Sequence, residues 1–145
     1  MREQENNKFW IIVASKDHVN IGIKGGFVQA NHGKKEPMKR LKKGDKIIFY
    51  SSKENIDDKY PYQKFTAICE VNDDEPYIGI MEQSNFNPYR RNVDFYPSIE
   101  LSIKNVIEDL DFIKNKQKWG FPFMKGFFEI SEKDFKYIES KMKDK

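Results

Sequence analysis

Short apolar runs separated by polar turns dominate this chain of 145 residues. The runs are rich in β-branched and aromatic side chains, and several are too short for a buried helix, so they predict strands. Others alternate between apolar and polar positions, as expected for a strand with two unlike faces. The predicted strands cover residues 9–14, 27–30, 47–50, 62–71, 89–95 and 127–130, with a strand or a loop at 77–81.

Apolar residues at helical intervals are fewer and lie mainly near the C-terminus. Phe135, Ile138 and Met142 follow one another at helical intervals behind Ser131, which predicts a helix with Ser131 as its N-cap. Residues 107–113 space their apolar positions at about three and predict a second short helix. Ser15 or Asp17 could cap a third helix that runs through Ile21, and residues 37–41 form a turn or one helical turn.

Five to seven strands with two or three short helices, and without βαβ alternation, indicate an α+β domain. We expect a mostly antiparallel sheet that curls into a small β-barrel flanked by short helices. The length fits one domain, so we predict a disordered lead-in at residues 1–7 and a single domain over residues 8–145.

The composition limits which kinds of site and which cellular location the chain can have. Cys69 is the single cysteine, which excludes a disulfide framework, and it falls on the apolar face of a predicted strand. With one cysteine and two histidines we expect neither a metal site nor a cofactor. The polar N-terminus does not resemble a signal peptide, and no apolar run approaches the length of a membrane span. We therefore expect a soluble, cytoplasmic protein.

Charge is nearly balanced overall, at +3, but it is unevenly distributed. Residues 34–46 contain seven bases and two acids, and residues 114–125 contain four lysines and no acid. Such patches indicate a basic face that suits a polyanion, although an ordinary solvated surface explains them as well.

The most unusual stretch is residues 25–34, which reads Gly-Gly-Phe-Val-Gln-Ala-Asn-His-Gly-Lys. Glycines allow the backbone to turn sharply or to approach a ligand closely. Gln29 and Asn31 offer both donors and acceptors, as needed to read a planar polar edge. Aromatic side chains are 14% of the chain, which leaves rings available for stacking on a base. The alternative interpretation is an ordinary hairpin turn that carries polar side chains on its surface.

Catalysis has less support in the sequence. Ser15, Asp17 and His18 lie within four residues, whereas the members of a catalytic triad normally come from separate elements. His18 and His32 could form an acid–base pair, as in RNA cleavage, but such a histidine is more often a hydrogen-bonded structural residue.

Fragments in a characteristic order give the chain a family resemblance. They are Phe9–His18, Gly25–Lys34, Pro37–Asp45, Phe49–Ser51, Leu110–Lys116, Trp119-Gly120 and Asp134-Phe135. Together they resemble the EVE domain family, a branch of the PUA-like superfamily that is related to the YTH domains. The resemblance implies a PUA-like fold and a non-enzymatic pocket for a nucleobase in DNA or RNA, which we expect to be a modified one.

The resemblance also implies where that pocket would lie: at the end of the first strand, at the stretch after the first helix, and at the end of the next long strand. Because Trp10 lies inside an apolar strand, we expect Tyr50, Phe27 or Phe121 to complete an aromatic wall with Trp119. The predicted pocket residues are Ser15, Lys16, Phe27, Gln29, Asn31, His32, Tyr50, Ser51, Trp119 and Phe121.

The leading hypothesis is therefore a nucleic-acid-binding module that recognises a modified base without catalysis. Its predicted phosphate contacts are Lys34, Lys35, Arg40, Arg90 and Arg91. The alternatives are a small hydrolase or ribonuclease that uses Lys16, His18 or His32, and a protein-interaction module whose basic face is incidental. The sequence predicts no membrane partner and leaves protein partners open.

Overall fold

A computed structural model describes residues 7–79 and 87–143. Eight strands alternate with three α-helices and several 3₁₀ turns. The strands are β1 (Phe9–Val13), β2 (Phe27–Val28), β3 (Lys46–Ser51), β4 (Lys64–Val71), β5 (Tyr77–Ile78), β6 (Tyr89–Phe95), β7 (Leu101–Ser102) and β8 (Phe127–Ile130). The helices are α1 (Lys16–Gly25), α2 (Lys35–Arg40) and α3 (Glu132–Lys141). The 3₁₀ turns are Asn31–Gly33, Ile103–Asn105, Ile107–Asp109 and Phe121–Lys125.

The strands form one mixed sheet in the order β2-β6-β4-β3-β1-β8, with β5 paired to β6 and β7 paired to β4. Within the described residues this path does not close into a complete ring. Every pair is antiparallel except β1 with β3, which run parallel with Ile11 opposite Ile48. The α+β class and the mostly antiparallel, curled sheet are as expected from the sequence. The parallel pair was not anticipated, and the chain reaches it by crossing from β1 to β3 through α1 and α2.

Both faces of the sheet are covered by hydrophobic side chains. Along β1, Trp10 and Ile12 pack into one cluster with Phe127, whereas Ile11 packs into the other with Ile48. This alternation explains why β1 is an uninterrupted apolar run, because a strand covered on both faces needs apolar residues at every position. Cys69 is fully buried in the first of these clusters, as its position in the sequence predicted.

The helix ends follow from local chemistry. The Ser131 hydroxyl accepts a hydrogen bond of 3.1 Å from the Asp134 amide, which confirms the predicted N-cap of α3. Helix α1 is longer than predicted and ends at Gly25, followed by the C-cap Gly26, whose φ of 73° favours glycine. The predicted helix at 107–113 is wrong, since the structure has only the 3₁₀ turn Ile107–Asp109 there.

A buried carboxylate joins the N-terminus to the turn before β3. Asp45 accepts hydrogen bonds from the Trp10 indole at 2.9 Å, the Lys8 amide at 2.9 Å and the Lys42 amide at 3.0 Å. Asn7 also contacts Asp45, at 3.1 Å. The predicted disordered lead-in otherwise falls on residues 1–6, which lie outside the described residues, as do positions 80–81 of the predicted fifth strand.

The longest helices of the described chain have ten residues, and among the described residues no helix is long and apolar enough to span a bilayer.

Candidate functional site

A cavity of about 640 Å³ opens at the end of β1, between α1, β2 and the turn Phe121–Lys125. Its walls are mostly apolar, and its polar lining residues carry amide, hydroxyl, imidazole or cationic groups. No carboxylate lines it among the described residues. The predicted site residues that line the cavity are Ser15, Phe27, Gln29, His32 and Arg90.

Arg90, Phe27 and Gln29 form a connected group in this wall. The guanidinium carbon of Arg90 lies 3.8 Å from the centre of the Phe27 ring, which is a close cation–π contact. The Arg90 Nε donates a hydrogen bond of 3.0 Å to Oε1 of Gln29. The pairing of β2 with β6 holds the three residues together, since Phe27 lies opposite Asn92 and Val28 opposite Arg91.

Gly79 makes room for this group from the other side of β6. A Cβ atom placed on Gly79 would lie 2.4 Å from the Arg90 Nε. The absence of a side chain at Gly79 therefore allows Arg90 to keep its position over Phe27.

His32 reaches the cavity from an unusual backbone conformation. Its φ of 62° and ψ of 34° place it in the left-handed region, which few non-glycine residues adopt. Strained residues of this kind concentrate at functional sites, so the conformation supports a role for this turn. The neighbouring Asn31 lies in the same turn, but its side chain is outside the described part of the structure.

His18 also lines the cavity, from the first turn of α1. Ser15 precedes that turn, and its hydroxyl donates to the Asp17 carboxylate. The structure thus brings both histidines and Ser15 to one opening, although Asp17 itself is not part of the lining.

Tyr50 and Ser51, predicted as pocket residues, lie in the protein core. The Tyr50 ring is 2% exposed and stacks on Phe123 with 4.0 Å between ring centres, and burial raises the pKa of its phenol. Ser51 is buried and its hydroxyl pairs with Thr66 at 2.9 Å. The physical reason is the sheet, because β3 is covered on both faces and its last two side chains pack into the core.

Trp119 and Phe121 also fall outside the cavity lining. Trp119 is half-buried and packs edge-on against Phe123 at 6.4 Å, whereas the Phe121 ring is 69% exposed. The late loop does reach the cavity, but through residues that no sequence pattern indicated: Phe123, Met124, Lys125 and Gly126. The 3₁₀ turn separates Phe121 from Phe123, so only the second ring points inward.

Lys16 is held away from the cavity by an ion pair. Its Nζ lies 2.7 Å from the Glu100 carboxylate, which also accepts a hydrogen bond from the Tyr62 hydroxyl. Burial favours a higher pKa for Glu100, but the hydrogen bonds from Lys16 and Tyr62 and the Lys16 charge outweigh it and lower the pKa. Burial and the bond to Glu100, together with nearby carboxylate charges, raise the pKa of Tyr62 to about 12.

The predicted phosphate contacts divide into exposed and buried cations. Lys34 and Lys35 are exposed just after the His32 turn, and Arg40 is exposed at the end of α2. Arg91 is 1% exposed, and it donates to the Met38 and Leu41 carbonyls and to Asp73. A buried guanidinium that already donates four hydrogen bonds cannot meet a phosphate, so Arg91 serves the fold and Arg90 faces the cavity.

Among the described residues, no three histidine, cysteine or carboxylate side chains converge in a way that could hold a metal ion.

Solved structures share this arrangement of a curled mixed sheet and short helices. The YTH domain of the Zygosaccharomyces rouxii MRB1 protein, solved in complex with N6-methyladenosine RNA, superposes with a TM-score of 0.63. It is 15% identical, with 92% of this chain and 85% of that chain covered. A hypothetical protein from Leishmania major gives a TM-score of 0.59 at 14% identity, with 94% of each chain covered. These likenesses show the fold, a curled mixed sheet with short helices that this chain shares with a YTH domain.

Residues 8–141 match the sequence model of the EVE domain, and the chain belongs to the EVE domain family. A UPF0310 protein of Mycolicibacterium gilvum is 46% identical over 133 residues, covering 92% of this chain and 94% of its own length. A UPF0310 protein encoded in the gntR 5′ region of Bacillus licheniformis is 48% identical over 128 residues, covering 88% and 86%.

Proposed function

We propose that this chain is a non-catalytic nucleic-acid-binding domain that holds one unpaired, modified base in the cavity at the end of β1. The observation that carries the proposal is the composition of that cavity: an aromatic–guanidinium platform, an amide beside it, and a lining without carboxylates among the described residues. Its volume of about 640 Å³ lies within the range of roughly 300–1,000 Å³ that small-ligand pockets occupy.

Phe27 and Arg90 provide the stacking surface. A base that leaves its own stack gains about 1–3 kcal/mol on an aromatic side chain, and guanidinium planes serve the same purpose. Because Arg90 already lies 3.8 Å over Phe27, the two form a prearranged layer that needs little ordering when a base arrives.

Gln29 reads the edge of the base. The Arg90 Nε is only a donor, so the oxygen of the Gln29 amide must face it, and the amide nitrogen is left to the cavity. That nitrogen has no partner among the described residues, and it can donate only to an acceptor. We therefore expect a ring nitrogen or a carbonyl oxygen of the base at this position.

The cavity mouth offers a surface for the modifying group. Ile21, Ile56 and Met124 line the cavity and are 53%, 59% and 81% exposed. Exposed apolar side chains grouped at a pocket indicate a binding surface. A methyl or similar small group on the base would bury part of this rim, whereas an unmodified base would leave it in water.

The comparisons support the proposal at the level of the fold. The YTH neighbour was solved with N6-methyladenosine RNA, and the same architecture could present its cavity to a methylated base here. The proposal covers DNA and RNA alike, and the experiment separates them.

The test is an anisotropy titration with matched oligonucleotides. Single-stranded RNA, single-stranded DNA and duplex DNA would each carry N6-methyladenine, 5-methylcytosine or no modification. Phe27→Ala and Gln29→Ala should weaken binding of the preferred modified oligonucleotide by about 10-fold or more, since each removes a stacking or edge contact. Tyr60→Ala is the matched control, because this aromatic residue is 80% exposed and lies outside the cavity lining. The proposal fails if no modified oligonucleotide binds more tightly than its unmodified counterpart.

One observation favours a second candidate, an RNA or nucleoside hydrolase. His18 and His32 line the same cavity, as an acid–base pair would require. Incubating the protein with RNA and with modified nucleosides tests this directly. Turnover that disappears in His32→Ala would establish the hydrolase and refute a purely binding role.

A further inference from the structure

A second depression, also of about 640 Å³, lies across the outer edge of β8 and shares Lys125 with the cavity. We call it the β8 groove. Strand β8 ends the sheet path, so its far edge has no neighbouring strand within the described residues. The residues that give the groove its charge are Arg40, Lys114, Lys125, Asp111, Glu129 and Asp134.

The acids of the β8 groove already have partners. Both Asp134 oxygens accept backbone hydrogen bonds of 2.9 Å, from the amides of Asp111 and Phe112. Asp111 pairs with Lys133 at 3.1 Å, and Glu129 lies 3.7 Å from Lys8. Two of the three carboxylates therefore lie beside a lysine of the protein, and backbone amides bind the third.

The three cations of the groove form no ion pair among the described residues. Arg40 is positioned by aromatic contacts instead, since its guanidinium carbon lies 5.1 Å from the centre of the Trp10 ring and 5.4 Å from that of Phe127. Such contacts fix the guanidinium without using its N–H donors. Lys114 and Lys125 are exposed. The groove thus has uncompensated positive charge with donors available.

The edge of β8 adds backbone donors. The Val13 amide donates to the Gly126 carbonyl at 2.9 Å, and Ile11 lies opposite Phe128 in the antiparallel pair. Successive residues of an antiparallel strand direct their N–H groups to opposite sides of the strand. Since Phe128 is paired with β1, the amides of Phe127 and Glu129 point away from β1 toward the groove.

We propose that the β8 groove binds the phosphodiester backbone on one side of the base held in the cavity, with Lys125 at the junction. The inference rests on the proposed function, because the strand in the groove is the one that delivers the base. Continuity through Lys125 and the excess of unpaired cations favour a polyanionic strand over an added peptide strand. Lys34 and Lys35, beside the His32 turn, would meet the backbone on the opposite side of the cavity.

The experiment compares a long and a short ligand on the same variant. The ligands are an eight-nucleotide RNA with a central N6-methyladenosine, its DNA counterpart, and N6-methyladenosine 5′-monophosphate. The variant is Arg40→Gln/Lys114→Gln. The control is Lys104→Gln/Lys141→Gln, which removes the same charge from exposed lysines outside both depressions.

We expect the groove variant to bind the octanucleotide about 10-fold more weakly than wild type. The slope of log affinity against log salt should become shallower by about 1.4, since each lost phosphate contact on a single strand contributes about 0.7. Binding of the mononucleotide should not change. The control should match wild type with both ligands. Urea unfolding of the variant checks that Arg40 is not needed for folding, and Lys114→Gln alone should give about half of the slope change.

Wild-type affinity and salt slope in the groove variant would overturn the proposal while leaving the base cavity intact. An acidic peptide that binds in the groove without displacing the octanucleotide would assign the groove to a protein partner and also overturn the proposal. If wild type binds neither ligand in a base-dependent way, with N6-methyladenine or with 5-methylcytosine as the modified base, the proposed function itself fails.

Discussion

Arg91→Met should destabilise the protein strongly, although its neighbour Arg90 is expected to matter mainly for binding. The Arg91 side chain is 1% exposed, with Nε 2.7 Å from the Asp73 carboxylate, Nη1 2.7 Å from the Met38 carbonyl and Nη2 3.0 Å from the Asp73 carbonyl. It also donates to the Leu41 carbonyl, so one guanidinium joins α2 to the segment before β5. Methionine restores most of the volume but none of these donors.

Breaking a buried ion pair by removing one partner costs about 3–5 kcal/mol, because the remaining charge and carbonyl groups lose their donors. For a domain of this size, 1 kcal/mol corresponds to about 2–4 °C. The expected fall in melting temperature is therefore about 6–20 °C.

Urea unfolding, followed by the fluorescence of the tryptophans, measures this difference by linear extrapolation. Arg90→Met is the matched control: it is the adjacent position on β6, half-buried at the cavity, and should change stability by less than about 1 kcal/mol. If Arg91→Met unfolds like wild type and instead weakens oligonucleotide binding, Arg91 is a phosphate contact and its placement in the core is refuted.

Three further changes test separate parts of the structure. Asp45→Asn should cost about 2–4 kcal/mol in urea unfolding. One carboxylate oxygen accepts from the Lys8 amide and the other from the Trp10 indole and the Lys42 amide, so the NH2 group of asparagine would face a donor. An unchanged midpoint would contradict this. Glu100 has a lowered pKa in the folded state, so its contribution is present above the usual glutamate pKa and is lost as pH falls through the folded value. Glu100→Gln should therefore flatten the loss of stability between about pH 5 and pH 3, and an identical acid profile would count against it. Gly79→Ala should displace Arg90 and weaken oligonucleotide binding as Arg90→Ala does, while the melting temperature stays near that of wild type; full affinity would show that the contact is dispensable.

The sequence was most informative where one local rule decided the structure. Continuous apolar runs located β1 and β3, because a strand covered on both faces is apolar at nearly every position. Ser131 located the start of α3 through its cap. The parallel pairing of β1 with β3 depends on contacts between distant segments, and no local pattern specifies it.

The cavity was predictable only in part. Ser15, Phe27, Gln29 and His32 were placed in it through the glycine-bracketed stretch and the family resemblance, and all four line it. Tyr50 was misplaced because the end of β3 is buried rather than open, which depends on the later segment that packs over it.

The alternation of residues along β6 distinguishes its two arginines already in the sequence. Tyr89, Arg91, Val93 and Phe95 share one face of the strand by alternation, so Arg91 lies on the side of buried Val93 and Arg90 on the other. The period of two therefore separates a structural arginine from a cavity arginine. The alternation does not identify the hydrogen-bond partners of Arg91, because Asp73 and the Met38 carbonyl come from other segments of the chain.

The central claim is that a base enters the cavity and stacks beside Phe27. The most direct measurement is the set of intermolecular NOEs between the protein and the preferred modified oligonucleotide, with the same strand made abasic at that position as the control. We predict NOEs from protons of the modified base to the Phe27 ring and the Met124 methyl group, and a loss of affinity for the abasic strand. Equal affinity for the abasic strand, with NOEs confined to residues outside the cavity, would contradict the account.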